Sequence, residues 1–241
     1  MRSLALAGVP ALTADQMREV DRAMVEDLHI ELIQMMENAG RALAELAMRR
    51  FAPESASVLS GPGGNGGGGL VAARHLANGG VAVTVVLSSP EPKMTAVAAH
   101  QLDIVRRMGL PIVVEPRPAE LIIDALIGYG LRDDPGGRAA ELIRWAGSQD
   151  RSILALDLPS GLEATTGRPG TPCIVATATL TLALPKRGLL MAPEVGELYL
   201  ADISVPRVVY EQLGIEVPDL FGDGGLVRLV RDPDTGGRPE S

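Results

Sequence analysis

Two carboxylates stand at the ends of apolar runs. Leu121-Ile122-Ile123-Asp124 leads into Ala125-Leu126-Ile127-Gly128-Tyr129-Gly130, and Ile153-Leu154-Ala155-Leu156-Asp157 leads into Leu158-Pro159-Ser160-Gly161. A third stretch, Val58-Leu59-Ser60 followed by Gly61-Pro62-Gly63-Gly64-Asn65-Gly66-Gly67-Gly68-Gly69 and then Leu70-Val71-Ala72-Ala73, has the order strand, glycine-rich loop, helix. Glycines there are expected to supply positive φ and to let a ligand lie on main-chain N–H groups. The helix that follows would turn its unpaired N–H groups and positive dipole end toward an anion, most often a phosphate. Together these residues offer acid–base chemistry beside an anion cradle.

The glycine signal alone is weak. Gly61, Gly63 and Gly66 satisfy G-x-G-x-x-G, but the dinucleotide fingerprint also wants an acid roughly 20 positions on. Here the next strand ends Val86-Leu87-Ser88-Ser89, and the first acid, Glu91, lies beyond a proline. No Lys-Ser or Lys-Thr follows the glycines, so the P-loop pattern fails. The plain alternative is a flexible glycine segment without a ligand. A lone Asp at a strand end is usually a cap or turn former; two of them beside Gly-containing turns favour a site. In an open parallel sheet the ligand crevice lies outside the carboxyl ends of the strands, where Asp124, Asp157, Ser160 and the glycine stretch are expected to converge.

Two carboxylates near a phosphate-bearing ligand would repel it. A cation held by oxygens of Asn65, Asp124, Ser160 and backbone carbonyls would resolve this, and an all-oxygen set suits a hard cation rather than zinc or iron. His29, His75 and His100 all fall in predicted helices and read as surface or packing residues. Ser160 is not in G-x-S-x-G, because Leu158 takes the first glycine position. Lys186 has two open readings, a phosphate contact or an exposed turn lysine.

The elements that must position these groups read as alternating strands and helices. The chain has 241 residues, 2% of them aromatic, so its core must be built from Ala, Val, Leu, Ile and Met. The formal charge of −8 and the lack of a Lys/Arg cluster argue against a nucleic-acid surface. The single Cys173 excludes an internal disulfide and Cys-based zinc clusters. With no signal-like N-terminus and no apolar run long enough to span a membrane, a soluble cytoplasmic protein is expected.

Met1–Leu12 reads as a loose lead-in. Thr13 and Gln16 form a possible capping box for a first helix through Leu28, and a second runs from about Glu31 to Arg50. The methionines of this region read as core or subunit contact in preference to a cofactor face. From Ala56 strands are predicted at 81–87, 111–114, 121–127 and 152–158, with helices at 93–108 and 138–147. Extended segments follow at 174–184 and 197–203, then a short helix at 206–213. Continuous apolar strands alternating with amphipathic helices imply a parallel sheet covered on both faces. Residues 1–230 read as one domain with the helices of 13–50 outside the βαβ units, and 231–241 as a disordered tail.

Several motifs together resemble one family. Met36-Glu37-Asn38-Ala39-Gly40, Gly61-Pro62-Gly63-x-Asn65-Gly66-Gly67-x-Gly69, Asp124-Ala125-Leu126-Ile127-Gly128-Tyr129-Gly130, Leu156-Asp157-Leu158-Pro159-Ser160-Gly161 and Pro185-Lys186-x-Gly188 are similar, in order, to the NAD(P)H-hydrate epimerase family. This is the YjeF N-terminal domain, also called apolipoprotein A-I-binding protein. The resemblance covers about Thr13 to Leu213. It implies a Rossmann-like three-layer α/β/α sandwich with a mostly parallel sheet, a homodimer, and interconversion of the R and S hydrates of NADH and NADPH. A separate dehydratase would then repair one epimer; in many bacteria it is fused behind this domain, and here the chain is too short to hold one. The resemblance also implies a potassium ion on Asn65, Asp124 and Ser160, and substrate against Gly64, Asn65, Gly66, Gly67, Gly68, Gly128, Tyr129, Gly130, Leu131, Arg132, Asp133, Asp134 and Asp157. Asp157, with Asp124 beside it on the cation, is the expected acid–base group. The family's loop reads G-P-G-N-N-G-G-D-G, and here Gly64 and Gly68 replace its first Asn and its Asp. That leaves a catalytically impaired nucleotide-binding or scaffold domain as the alternative. A nucleotide-dependent kinase or transferase is a weaker one, because the P-loop is absent.

Overall fold

The computed structural model describes residues 1–222 and 224–231; of the expected disordered tail, all but Arg231 lies outside the described residues. The long apolar runs form strands β2 (Ser55–Ser60), β3 (Ala82–Leu87), β5 (Leu121–Ala125), β6 (Ser152–Leu156), β7 (Ala178–Leu182) and β8 (Glu197–Ala201). Short β1 (Arg2–Ala5), β4 (Ile112–Val113) and β9 (Leu226–Val230) complete one nine-stranded sheet in the order β1-β9-β8-β7-β6-β5-β2-β3-β4. All pairings are parallel except β8 with β9. The helices are α1 (Ala14–Arg22), α2 (Leu32–Arg50), α3 (Gly64–Asn78), α4 (Ala96–Arg107), α5 (Gly137–Gly147) and α6 (Arg207–Gln212).

Alternation along each strand makes the layers. Val58, Ile123, Ala125, Leu154 and Leu156 pack with Leu43 and Leu46 of α2, Leu70 and Leu76 of α3, and Leu102 of α4. Their neighbours Leu59, Ile122, Ile153 and Ala155 face the other way, onto Leu142 and Ile143 of α5. A third cluster joins α1, through Met17 and Val20, to Leu158, Leu184, Leu189 and Tyr210.

β2 is flanked by β3 on one side and β5 on the other. The chain leaves β2 through α3, on the α2–α4 face, and leaves β5 through α5, on the opposite face. The two connections diverge and open a crevice above the β2 and β5 carboxyl ends.

Three expectations need correction. The lead-in is not loose: β1 pairs with β9, and buried Leu12 bridges Lys186, with Leu12 N donating to Pro185 O and Arg187 N to Leu12 O. The capping box on Thr13 is present, but the first helix gives way after Arg22 to a π-helical turn at Ala23–Asp27. His29 therefore lies past its end, with φ 55°, rather than in a helix.

Candidate active site

The glycine run is mostly helix. α3 begins at Gly64, so only Gly61–Gly63 form the turn, and none of Gly61–Gly69 has a positive φ. These glycines answer to packing instead of backbone freedom. A Cβ on Gly61 would strike the Leu126 carbonyl, one on Gly66 the Gly61 carbonyl, and one on Gly69 the Ala125 side chain. Gly67 abuts Met36, and Gly40 of α2 lies on Val71 and the Gly68 carbonyl. Bare glycine lets α3 settle onto the β2 and β5 ends and onto α2. Gly63 and Gly64 are the exceptions: neither has anything within 4 Å of its Cβ position, and Gly64 is exposed.

A cavity of about 680 Å³ opens in the crevice. One wall is polar: Gly63, Gly64, Asn65 and Gly68 from the α3 start; Gly128, Tyr129, Gly130 and Arg132 after β5; Asp157 after β6; Lys186 after β7. Apolar side chains of Met17 on α1 and of Leu32, Met35, Met36 and Ala39 on α2 complete the lining, with Arg18 and Asp21 of α1 among them. The methionines read as core are thus both buried and part of the cavity lining. Of the other candidates, Gly66 and Gly67 are buried in packing, Leu131 is partly exposed outside the lining, and Asp133 and Asp134 point to the exposed surface of the loop.

Asp157 leaves β6 with φ 68°, a left-handed conformation that Asp tolerates better than most residues. Ala183 and Ser204, beyond β7 and β8, share this conformation, so backbone strain gathers at this rim of the sheet. The Asp157 side chain is 4% exposed. Its Oδ1 accepts from Lys186 Nζ, and its Oδ2 accepts from the Tyr129 N–H at 3.3 Å. Lys186 is 1% exposed and also donates to the Leu182 carbonyl at 3.0 Å. Of the two readings of Lys186 the exposed turn fails: the residue is buried with its ammonium bonded to Asp157, and it lines the cavity. Its apolar neighbourhood, Leu184 and Leu189, gave no hint in the sequence that the lysine folds inward.

Asp124 and Ser160 lie behind the cavity wall, both 0% exposed. Asp124 accepts from Ser160 N at 2.7 Å, Ser160 Oγ at 2.6 Å and Leu126 N at 3.3 Å. All three donors are neutral, and no ion pair reaches Asp124 among the described residues. Burial pushes its carboxyl up to about 6, against the pull of these hydrogen bonds. A carboxylate so placed lacks a cation. Asn65, whose buried Nδ2 has no partner, brings its carboxamide to the same rim: its Oδ1 and Asp157 Oδ2 both lie 3.3 Å from where a Cβ on Gly128 would sit. Oxygens such as those of Asn65, Asp124 and Ser160 are of the type a hard cation takes, and the charge of Asp124 suits one. Among the described residues no group of three or more His, Cys, Asp and Glu could hold a metal.

Sequence reasoning missed Asp21. It sits on α1, outside the βαβ units, and its Oδ2 accepts a hydrogen bond from the Tyr129 hydroxyl at the cavity wall. Burial raises both the Asp21 carboxyl and the Tyr129 phenol above their ordinary values. The signal available was one polar residue, Asp21, beside the apolar stripe of Met17, Val20 and Met24.

A model of the family described as YjeF-related protein N-terminus matches residues 32–188. An NAD(P)H-hydrate epimerase of Dehalogenimonas lykanthroporepellens is 42% identical over 92% of this chain and 94% of its own. One of Rhodopirellula baltica is 33% identical over 86% and 89%. A bifunctional NAD(P)H-hydrate repair enzyme of Moorella thermoacetica is 37% identical over 81% of this chain but only 41% of its own length. The crystal structure of yeast ynu0 shares the fold, with a TM-score of 0.81 over 92% of this chain and 100% of its own at 22% identity.

Proposed function

The chain belongs to the YjeF-related protein N-terminus family, and on that premise we propose that it interconverts the R and S hydrates of NADH and NADPH, as an NAD(P)H-hydrate epimerase. The observation that carries this reading is the pairing of Asp157 with Lys186 in the wall of a cavity that also opens on the first turn of α3. The α3 start, free of side chains at Gly63 and Gly64, is suited to the phosphates of a dinucleotide. Gly128, Tyr129, Gly130 and Arg132, the cavity-lining part of the loop after β5, lie against the rest of the substrate. Inverting a hydroxyl-bearing carbon requires a bond there to break and re-form on the other face, with a proton delivered and a proton recovered. Asp157 and Lys186 hold between them a transferable proton at that wall, out of bulk water.

Potassium is the cation of this reading, held by Asn65, Asp124 and Ser160. Bound there, it supplies positive charge that offsets Asp124. The chain works as a single domain and as a homodimer in the cytoplasm. Its α1–α2 turn exposes Val25, Leu28, Leu32 and Ile33, which suits a second copy, and among the described residues no helix is long and apolar enough to cross a membrane. Functional coupling to a separate dehydratase is supported by the bifunctional relatives, of whose length this chain spans 41% in the Moorella example. Gly68, which stands where the family's loop has Asp, lines the same cavity.

The test is direct. Purified protein is added to the R hydrate together with a dehydratase that consumes only the S form. Consumption of the R form is expected to accelerate in proportion to added protein, and no acceleration would overturn the proposal.

A further inference from the structure

The loop after β5 reads Gly128-Tyr129-Gly130, so Tyr129 is its only side chain between two glycines. Nothing but the tyrosine can restrain that backbone from its own side chains. Its hydroxyl reaches Asp21, a residue 108 positions earlier in the chain and on a helix outside the sheet. Its N–H reaches Asp157 Oδ2 at 3.3 Å. The Lys186 ammonium, bonded to Asp157 Oδ1, lies 6.0 Å from the centre of the Tyr129 ring. The contacts run from Asp21 through Tyr129 to Asp157 and Lys186, and the circuit closes at the Tyr129 ring, with Asp21 attached to it through the hydroxyl.

The charges in the circuit are two carboxylates and one ammonium. Arg18, on the same helix as Asp21, pairs with Asp15 and also lines the cavity, and Tyr210 of α6, Lys186 and Asp157 are near enough to Asp21 to feel its charge. Asp21 has no cation bonded to it directly among the described residues, so the phenol is its donor.

We propose that Asp21 is a positioning residue for the reaction: by holding the Tyr129 hydroxyl it fixes the N–H that meets Asp157 and keeps the aromatic ring beside Lys186. This rests on the epimerase reading and adds to it a part for α1. Helix α1 then does more than cover the sheet; it sets the geometry of an acid–base pair that two other strands supply.

The test compares Tyr129→Phe, Asp21→Asn and the double variant with the unaltered protein in the hydrate assay. Each single change is expected to lower kcat about tenfold to a hundredfold, with KM changed by less than about threefold. The double variant is expected to be no worse than the poorer single one, because both remove one contact. The pH profile of kcat should shift in Asp21→Asn, since a charge near Asp157 and Lys186 is lost. Wild-type kcat and an unmoved profile in both single variants, or losses that multiply in the double variant, would overturn the proposal. An inert unaltered protein would instead sink the epimerase reading. The link itself has a readout apart from turnover. In protein labelled at tyrosine ring carbons, the Tyr129 resonance, assigned through Tyr129→Phe, is expected to move in both Asp21→Asn and Lys186→Met. No movement in either variant disproves it, whatever the enzyme does.

Discussion

Lys186 and Asp157 form an ion pair 29 residues apart in sequence, with the lysine 1% exposed and the aspartate 4%. Two strands, β6 and β7, set the pair down side by side, and the Leu12 segment clamps the lysine from above. Burying such a pair is worthwhile only if the partners stay together, because removing one strands the other in an apolar site.

Asp157→Asn and Asp157→Ala are therefore expected to differ. Asn keeps an oxygen for Lys186 and tolerates the left-handed backbone at φ 68°. Ala keeps neither and should be less stable than Asn by roughly 3 kcal/mol. Both are expected to lose about a hundredfold or more in kcat. Thermal melting read beside turnover checks the order; equal stabilities would mean that the pair contributes nothing.

Gly64 and Gly66 sit two residues apart in one helical turn, yet the same change should act in opposite directions. Gly66→Ala drives a Cβ into the Gly61 carbonyl and is expected to cost roughly 3 kcal/mol. Gly64→Ala meets nothing within 4 Å and should stabilise by about 0.5 kcal/mol. Denaturant melts of the two proteins measure this.

Gly68→Asp restores the carboxylate common in the family loop. Its Cβ would lie 2.8 Å from Leu156 Cδ2, the far end of a flexible side chain, so the fold should accept it. Turnover is expected to change by less than about tenfold, on the ground that Asp157 and Lys186 carry the proton work. A larger gain in the hydrate assay would mark the native chain as impaired.

On the proposed reading, potassium is expected to raise the melting temperature relative to choline chloride of equal ionic strength, as any ion held by the native state alone would. The increment should vanish in Asp124→Asn, which removes the unpaired buried carboxylate. An equal increment in both proteins would place the ion elsewhere.

Glu197 at the start of β8 accepts from Arg50 at the end of α2 through both oxygens, at 2.9 and 3.0 Å. The hydrogen bonds from Arg50 hold its carboxyl down at about 2, against an ordinary 4.5. A depressed carboxyl stabilises the fold above the unfolded value and stops doing so as pH falls through 4.5 toward 2. Glu197→Gln should therefore cost about 1 kcal/mol at pH 7. The gap should close as the medium is acidified across that window, and urea melts at several pH values follow it. A gap that stays constant with pH would show that the ion pair is not its source.

How much of this was legible beforehand differs by residue. Asp124 and Asp157 announced themselves because each ends an apolar run, of three and of four residues, beside a Gly-containing turn. The parallel sheet was equally legible, because strands buried on both faces must be continuously apolar. The glycines were visible but misread. A glycine chosen for close packing and one chosen for positive φ look alike in a string of letters, and only the carbonyl of Leu126 and the side chain of Ala125 tell them apart.

The amino-acid order by itself determined the fold class, the two acidic strand ends and the family motifs, since each depends on residues close together in the chain. Tertiary structure alone decided that Lys186 turns inward, that α1 brings Asp21 to Tyr129, and that the methionines of α2 face a cavity. Those contacts join segments separated by 29 and 108 residues. Local periodicity carries no record of what lies across such distances, because a side chain's partner is fixed by how the layers stack.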